Sequence, residues 1–188
     1  MPAGAAGPGL DRSGHGPAPV RRIRDKALEL PRFAEGTSPT VLLTLGTVFS
    51  GERALAEFSS AVADAGVNVV ATLGSALVRP PTTRHRDNLQ HIPFAPLDQL
   101  LDHVDPVVAA GGSGTMLGAP SRGVPMVLCP QGADQPSNAA LAKAAGVAIV
   151  VDSPAELTDA VAWALQDQVM RARVARVAAE IADAPTAS

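Results

Sequence analysis

The sequence predicts an α/β fold, a doubly wound parallel sheet, and three observations carry that prediction. Short apolar runs alternate along the chain with segments whose apolar residues recur at helical spacing. Several of those runs end in glycine-containing turns, where the strands of a parallel sheet hand over to helices. Finally, 46% of the 188 residues are hydrophobic and only 18% are charged, the balance of a folded chain with one core.

Taken in order, residues 1–18 are rich in Gly, Pro and Ala without periodicity and are expected to be a disordered tail. Residues 19–38 mix basic and short apolar pieces, with Arg21, Arg22 and Arg24 read as solvated. The folded domain is expected over 39–185. It opens with a buried strand over 41–45 that ends at Gly46. A helix comes next over 52–65, with Leu55, Phe58 and Val62 on one face and Gly66 as its stop. Further strands are expected at 67–73, around His91-Ile92, and at 107–109, 124–129 and 147–151. Helices are expected at 97–103, 114–122 and 135–145, the last stopped by Gly146. Ser153 before Pro154 reads as an N-cap with proline at the first helical position, opening a helix to 165. A final helix runs over about 168–182. Ligands of such sheets bind at the carboxyl ends of the strands. The turns at Gly46-Thr47, Gly111 to Thr115 and Pro130 to Gln135 should therefore meet on one edge.

Composition excludes several classes of partner. A net charge of −3 argues against nucleic acid and against an anionic membrane surface. No apolar run approaches the ~20 residues that a membrane span needs, and the N-terminus lacks the apolar core of a secretory signal. The single cysteine, Cys129, has no internal partner and fits a reducing cytoplasm, where it reads as a small buried strand residue.

The most informative stretch is Val107-Val108-Ala109-Ala110-Gly111-Gly112-Ser113-Gly114-Thr115, with Asp134-Gln135 some twenty residues on. An apolar run breaks into glycines, and a hydroxyl-bearing segment opens a helix. That arrangement presents bare backbone N–H groups and the positive end of a helix dipole to an anion such as a phosphate. No lysine comes after the glycines, so this is not the Gly-x4-Gly-Lys-Ser/Thr loop, nor is it Gly-x-Gly-x-x-Gly. Asp134 and Gln135 combine an acceptor carboxylate with a carboxamide that donates and accepts, which suits a polyol. Asp134 is equally a favoured helix N-cap residue.

These residues resemble the donor half of the two-domain (GT-B type) nucleotide-sugar glycosyltransferases, among them the macrolide and other natural-product enzymes. The family pattern runs His-Gly-Gly-x-Gly-Thr, Gly-Val-Pro, and Pro-x-x-x-Asp-Gln-x-x-Asn-Ala. This chain has Ala110 to Thr115, Gly123-Val124-Pro125, and Pro130 to Ala139 in matching order. Upstream, Val41 to Phe49 resembles the first strand and its turn, and Phe94-Ala95-Pro96-Leu97 resembles the segment that stacks the donor base. The resemblance covers about residues 39–165.

The resemblance implies a Rossmann-like domain that binds a UDP- or TDP-linked sugar without a metal or other cofactor. Gly111, Gly112, Ser113, Gly114 and Thr115 would cradle the diphosphate, with Thr47 contributing from the first turn. Asp134 and Gln135 would hold the sugar hydroxyls, and Leu97 would flank the base. Residues 19–38, with Leu30-Pro31 and Phe33, would correspond to the segment linking the two domains, an ordered tail packed on the domain surface being the equal alternative. The acceptor domain, which supplies the catalytic base in such enzymes, has no counterpart motif here, so no catalytic residue is assigned. His85, His91 and His103 read as surface or loop residues. The resemblance thus implies either a fragment of a longer product or one chain of a split enzyme, whose partner would be an acceptor-domain chain, and the isolated chain is expected to be inactive or nearly so.

Two departures stand out. Ala110 replaces the family's histidine, and losing a donor to phosphate costs roughly 1.5–3 kcal/mol, or about ten- to a hundredfold in affinity. Pro120 falls inside the helix after the glycine turn, where an interior proline costs about 3 kcal/mol and kinks the helix. Both point to weakened donor binding. They support an alternative from another class, a non-catalytic helper or relic that keeps the fold. A nicotinamide oxidoreductase is disfavoured, because Gly46-Thr47-Val48-Phe49 offers no dinucleotide fingerprint.

Overall fold

The computed structural model describes residues 31–33, 38–46, 51–74, 80–81, 85–93 and 95–184. The expected tail, most of the linker-like segment, Thr47 and Phe94 lie outside the described residues.

Among the described residues six strands form one all-parallel sheet: β1 (Thr40–Thr44), β2 (Asn68–Thr72), β3 (Leu89–Ile92), β4 (Val107–Ala109), β5 (Met126–Leu128) and β6 (Ala148–Val150). Their spatial order is β3-β2-β1-β4-β5-β6, the doubly wound arrangement in which the winding direction reverses between β1 and β4. Leu42 pairs with Val107 and Thr44 with Ala109. The crossovers carry α1 (Glu52–Ala63), α2 (Leu97–Leu101), α3 (Ser113–Ser121) and α4 (Gln135–Ala144). After β6 come a 3-10 turn (Pro154–Glu156), α5 (Leu157–Gln166) and α6 (Gln168–Ala182).

The strands are apolar on both faces because helices cover both. On one face Leu43, Val69, Val108 and Val127 pack with Leu55, Phe58 and Val62 of α1 and Leu157 and Val161 of α5. On the other, Leu42, Val107, Ala109, Met126 and Leu128 pack with Leu100 and Leu101 of α2, Ala119 of α3, Ala139 of α4 and Val174 of α6. Strand residues alternate between the two sides, as the pleat requires. Small alanines on α3 and α4 let these helices sit close to short three-residue strands.

The strands at 124–129 and 147–151 are shorter than the sequence suggests, since hydropathy does not mark where ladder pairing stops. The segment opened by Ser153 begins as a 3-10 turn, and the Ser153 backbone N–H and Oγ both donate to Glu156 Oε1, at 3.0 and 2.9 Å. His91 lies on β3, in the strand expected there, but it is half-buried and not the surface or loop residue expected, 3.3 Å from Ser59 Oγ. Burial holds its imidazole below the usual pKa, so it is neutral near pH 7. Pro120 does not break α3. It stands in the last turn, where it deprives only the Met116 carbonyl of its partner.

Candidate functional site

The reversal of winding leaves a crevice at the carboxyl ends of β1 and β4, and a cavity of about 440 Å³ lies there. Its wall comes from four strand ends: Thr44 to Gly46 after β1, Thr72 and Gly74 at β2, Ala110 and Gly112 to Thr115 after β4, and Ala133 to Gln135 after β5. Ala95, Leu97 and Leu100 close an apolar side. The turns expected to converge from sequence do converge. Of the expected site residues, Gly112, Ser113, Gly114, Thr115, Asp134, Gln135 and Leu97 all line the cavity. Gly111 sits just behind it, buried at the root of the turn.

The glycine turn is shaped by the helix it opens. Gly111 adopts φ +93°, a conformation that side chains disfavour. Gly112 stands at the N-cap of α3 with no side chain to cap it. Its carbonyl accepts from the amides of Thr115 and Met116, at 3.0 and 3.1 Å. The amides of Ser113 and Gly114 belong to the first turn and have no carbonyl within the helix to bond. Two peptide donors, the helix dipole and the hydroxyls of Ser113 and Thr115 thus border the cavity. No Lys, Arg or His lines it among the described residues, and the position expected to carry histidine in the family is Ala110, 2% exposed.

The opposite wall is the start of α4. Asp134 has helical backbone angles, φ −81° and ψ −10°, and makes no capping bond. Its Oδ2 accepts instead from Asn138 Nδ2 at 3.0 Å and from Ser113 Oγ at 3.4 Å. The N-cap role open to Asp134 in the sequence is therefore not the one it takes. Gln135 is buried, and its Oε1 accepts from the Gln131 amide at 2.8 Å. Its carboxamide oxygen holds the turn, leaving the NH₂ group for other partners. The turn itself is strained, because Ala133 takes φ +56°, uncommon outside glycine.

Asn138, matched in the sequence only as part of the family pattern and given no role there, donates to both Asp134 and the Gly111 carbonyl, at 3.0 Å each. Two cavity residues escaped the sequence altogether. Thr72 and Gly74 reach the cavity from β2, and no local pattern marks them.

Comparison with known proteins agrees with this geometry. Residues 55–188 match the family of erythromycin biosynthesis protein CIII-like C-terminal domains. The aclacinomycin-T 2-deoxy-L-fucose transferase of Streptomyces galilaeus is 38% identical over 95 residues, 48% of this chain and 21% of that protein. The solved glycotransferase of kitacinnamycin superposes with a TM-score of 0.71 at 25% identity, over 88% of this chain and 44% of the other. The glycosyltransferase SsfS6 of Streptomyces sp. SF2575, solved with thymidine diphosphate, superposes with a TM-score of 0.66 at 30% identity, over 81% and 40%. The chain thus spans less than half the length of each of these relatives. With the fold, the glycine turn and the match over most of its length in agreement, the chain belongs to the erythromycin biosynthesis protein CIII-like C-terminal domain family.

Proposed function

We propose that this chain is the nucleotide-sugar-binding half of an inverting glycosyltransferase that acts on a small hydroxylated acceptor. The observation that carries the reading is the cavity itself. An uncapped helix start and a polyol-matched Asp134-Gln135 pair face each other across one crevice at the winding reversal.

The division of roles comes from charge. Gly111, Gly112, Ser113, Gly114 and Thr115 form the diphosphate cradle, with neutral donors and the helix dipole in place of a cation. Thr47 joins from the first turn. Asp134 repels a diphosphate but accepts hydrogen bonds from sugar hydroxyls, so the diphosphate lies toward α3 and the sugar toward α4. Gln135 adds a carboxamide donor to the sugar. Leu97, beside Ala95 and Leu100, makes the apolar flank for a pyrimidine base. SsfS6 was solved with thymidine diphosphate, which favours a uridine- or thymidine-linked donor.

Residues 39–185 constitute the binding domain and 19–38 its connection toward an acceptor domain. Transfer requires that second domain or chain to deprotonate the acceptor hydroxyl, so this chain alone turns over nothing. Its unpaired, buried Cys129 suits the cytoplasm, and no helix among the described residues is long and apolar enough to cross a membrane.

Calorimetric titration with UDP and TDP, on the chain and on an Ala110→His variant, tests the reading. The expected result is binding in both, about tenfold tighter in the variant because a charge-assisted donor is added. No binding in either protein, with cooperative unfolding intact, would overturn it.

A further inference from the structure

One side chain touches both walls of the candidate site. Asn138, on the second turn of α4, uses a single amide nitrogen twice: Nδ2 donates to the Gly111 carbonyl and to Asp134 Oδ2, at 3.0 Å each. Asp134 Oδ2 also receives the Ser113 hydroxyl at 3.4 Å. The chain of contacts runs from the Gly111 carbonyl through Asn138 and Asp134 to Ser113, so the glycine turn and the start of α4 are held in one network.

The consequence for the turn is geometric. In a trans peptide the carbonyl of one residue and the N–H of the next point in opposite directions. By holding the Gly111 carbonyl toward α4, Asn138 turns the Gly112 N–H away from α4. That peptide would otherwise be free to rotate, because Gly111 and Gly112 both lack a side chain. The consequence for Asp134 is similar: with Oδ2 engaged from two sides, the carboxylate has one orientation instead of several, and Oδ1 is the oxygen left for a ligand.

We propose that Asn138 is the positioning residue of the donor site, aiming the Gly111–Gly112 peptide and the Asp134 carboxylate together and so setting the spacing between diphosphate and sugar. The proposal rests on the donor-binding reading above. Asn138 itself is not among the residues that line the cavity and acts through Gly111 and Asp134.

The test compares the chain with Asn138→Ala and Asn138→Asp by calorimetric titration against TDP and against TDP-glucose, beside thermal unfolding. Alanine suits a half-exposed helix position, so the variant should fold; Asn138→Ser serves the same comparison if it does not. The expected result is that Asn138→Ala weakens TDP about tenfold and TDP-glucose about a hundredfold, with the melting temperature moved by only a few degrees. Asn138→Asp should bind more weakly still, since it sets a carboxylate against Asp134 and the Gly111 carbonyl. If the variants bind both ligands as the parent chain does, or lose thermal stability while affinity is unchanged, Asn138 merely ties α4 to the turn and the proposal fails. Equal losses for both ligands would overturn its claim on Asp134. A parent chain that binds neither ligand would sink the donor-site reading, and this proposal with it.

Discussion

Gly111 is seated against Gln135: a Cβ at Gly111 would lie 3.4 Å from the Gln135 carbonyl oxygen and 3.7 Å from its Cβ. The root of the glycine turn and the first turn of α4 are therefore in backbone contact, and the two walls of the cavity share one foundation. A Gly111→Ala methyl would make ordinary van der Waals contact there, so its cost comes from the backbone, held at a φ of +93°. It should destabilise the fold by about 1–3 kcal/mol, lowering the melting temperature by about 2–4 °C for each kcal/mol in a chain of this size. Calorimetry on the variant checks this; an unchanged melting temperature would show that the turn yields freely.

Ala133 offers the opposite change. Its φ of +56° costs an L-residue roughly 1–2 kcal/mol, part of which Ala133→Gly returns to the unfolded chain as entropy. We expect the variant to be more stable, by up to about 1 kcal/mol, as read by urea unfolding. A less stable variant would mean that the methyl group is held by contacts worth more than the strain.

Asp134→Asn separates the two halves of the donor. It keeps the size of the side chain and removes the charge. We expect TDP to bind as well or better, since a nearby negative charge is gone, and a TDP-sugar to lose about tenfold in affinity. Parallel losses for both ligands would contradict the assignment of Asp134 to the sugar.

Cys129 predicts a dependence on pH. Burial, with smaller contributions from Glu156 and Asp152, raises its thiol to about 11 from a usual value near 9.0. The folded chain thus holds its proton more tightly than the unfolded one. The stability this contributes is fully present below about pH 9 and is lost as pH rises toward 11. Unfolding measured from pH 8 upward should show the decline, and Cys129→Ala should flatten it. At pH 8 the native thiol should resist alkylation that the denatured chain undergoes.

Much of this was legible in the sequence because strand and helix signals alternate cleanly. The periodicity of Leu55, Phe58 and Val62 fixed α1, and Gly66 and Gly146, both at positive φ, mark the ends of α1 and α4 as expected. The glycine turn and Asp134-Gln135 were found because their chemistry is local to a few adjacent residues. What escaped depends on distance. The Asn138 bond to Gly111 spans 27 residues, and the approach of Thr72 depends on strand register. The half-burial of His91 depends on Ser59, from a different element. The left-handed turn at Ala133 has no signal, because alanine is not the residue that such a turn selects.

The cavity wall at the start of α3 is made of peptide groups and hydroxyls, and among the described residues that line the cavity Asp134 is the one ionisable side chain. Reagents that map binding sites by acylating lysines, modifying arginines or oxidising aromatic rings would find nothing to label among those described residues. Occupancy should register instead as slowed deuterium uptake at the amides of residues 112–114, so the backbone carries the footprint of the ligand.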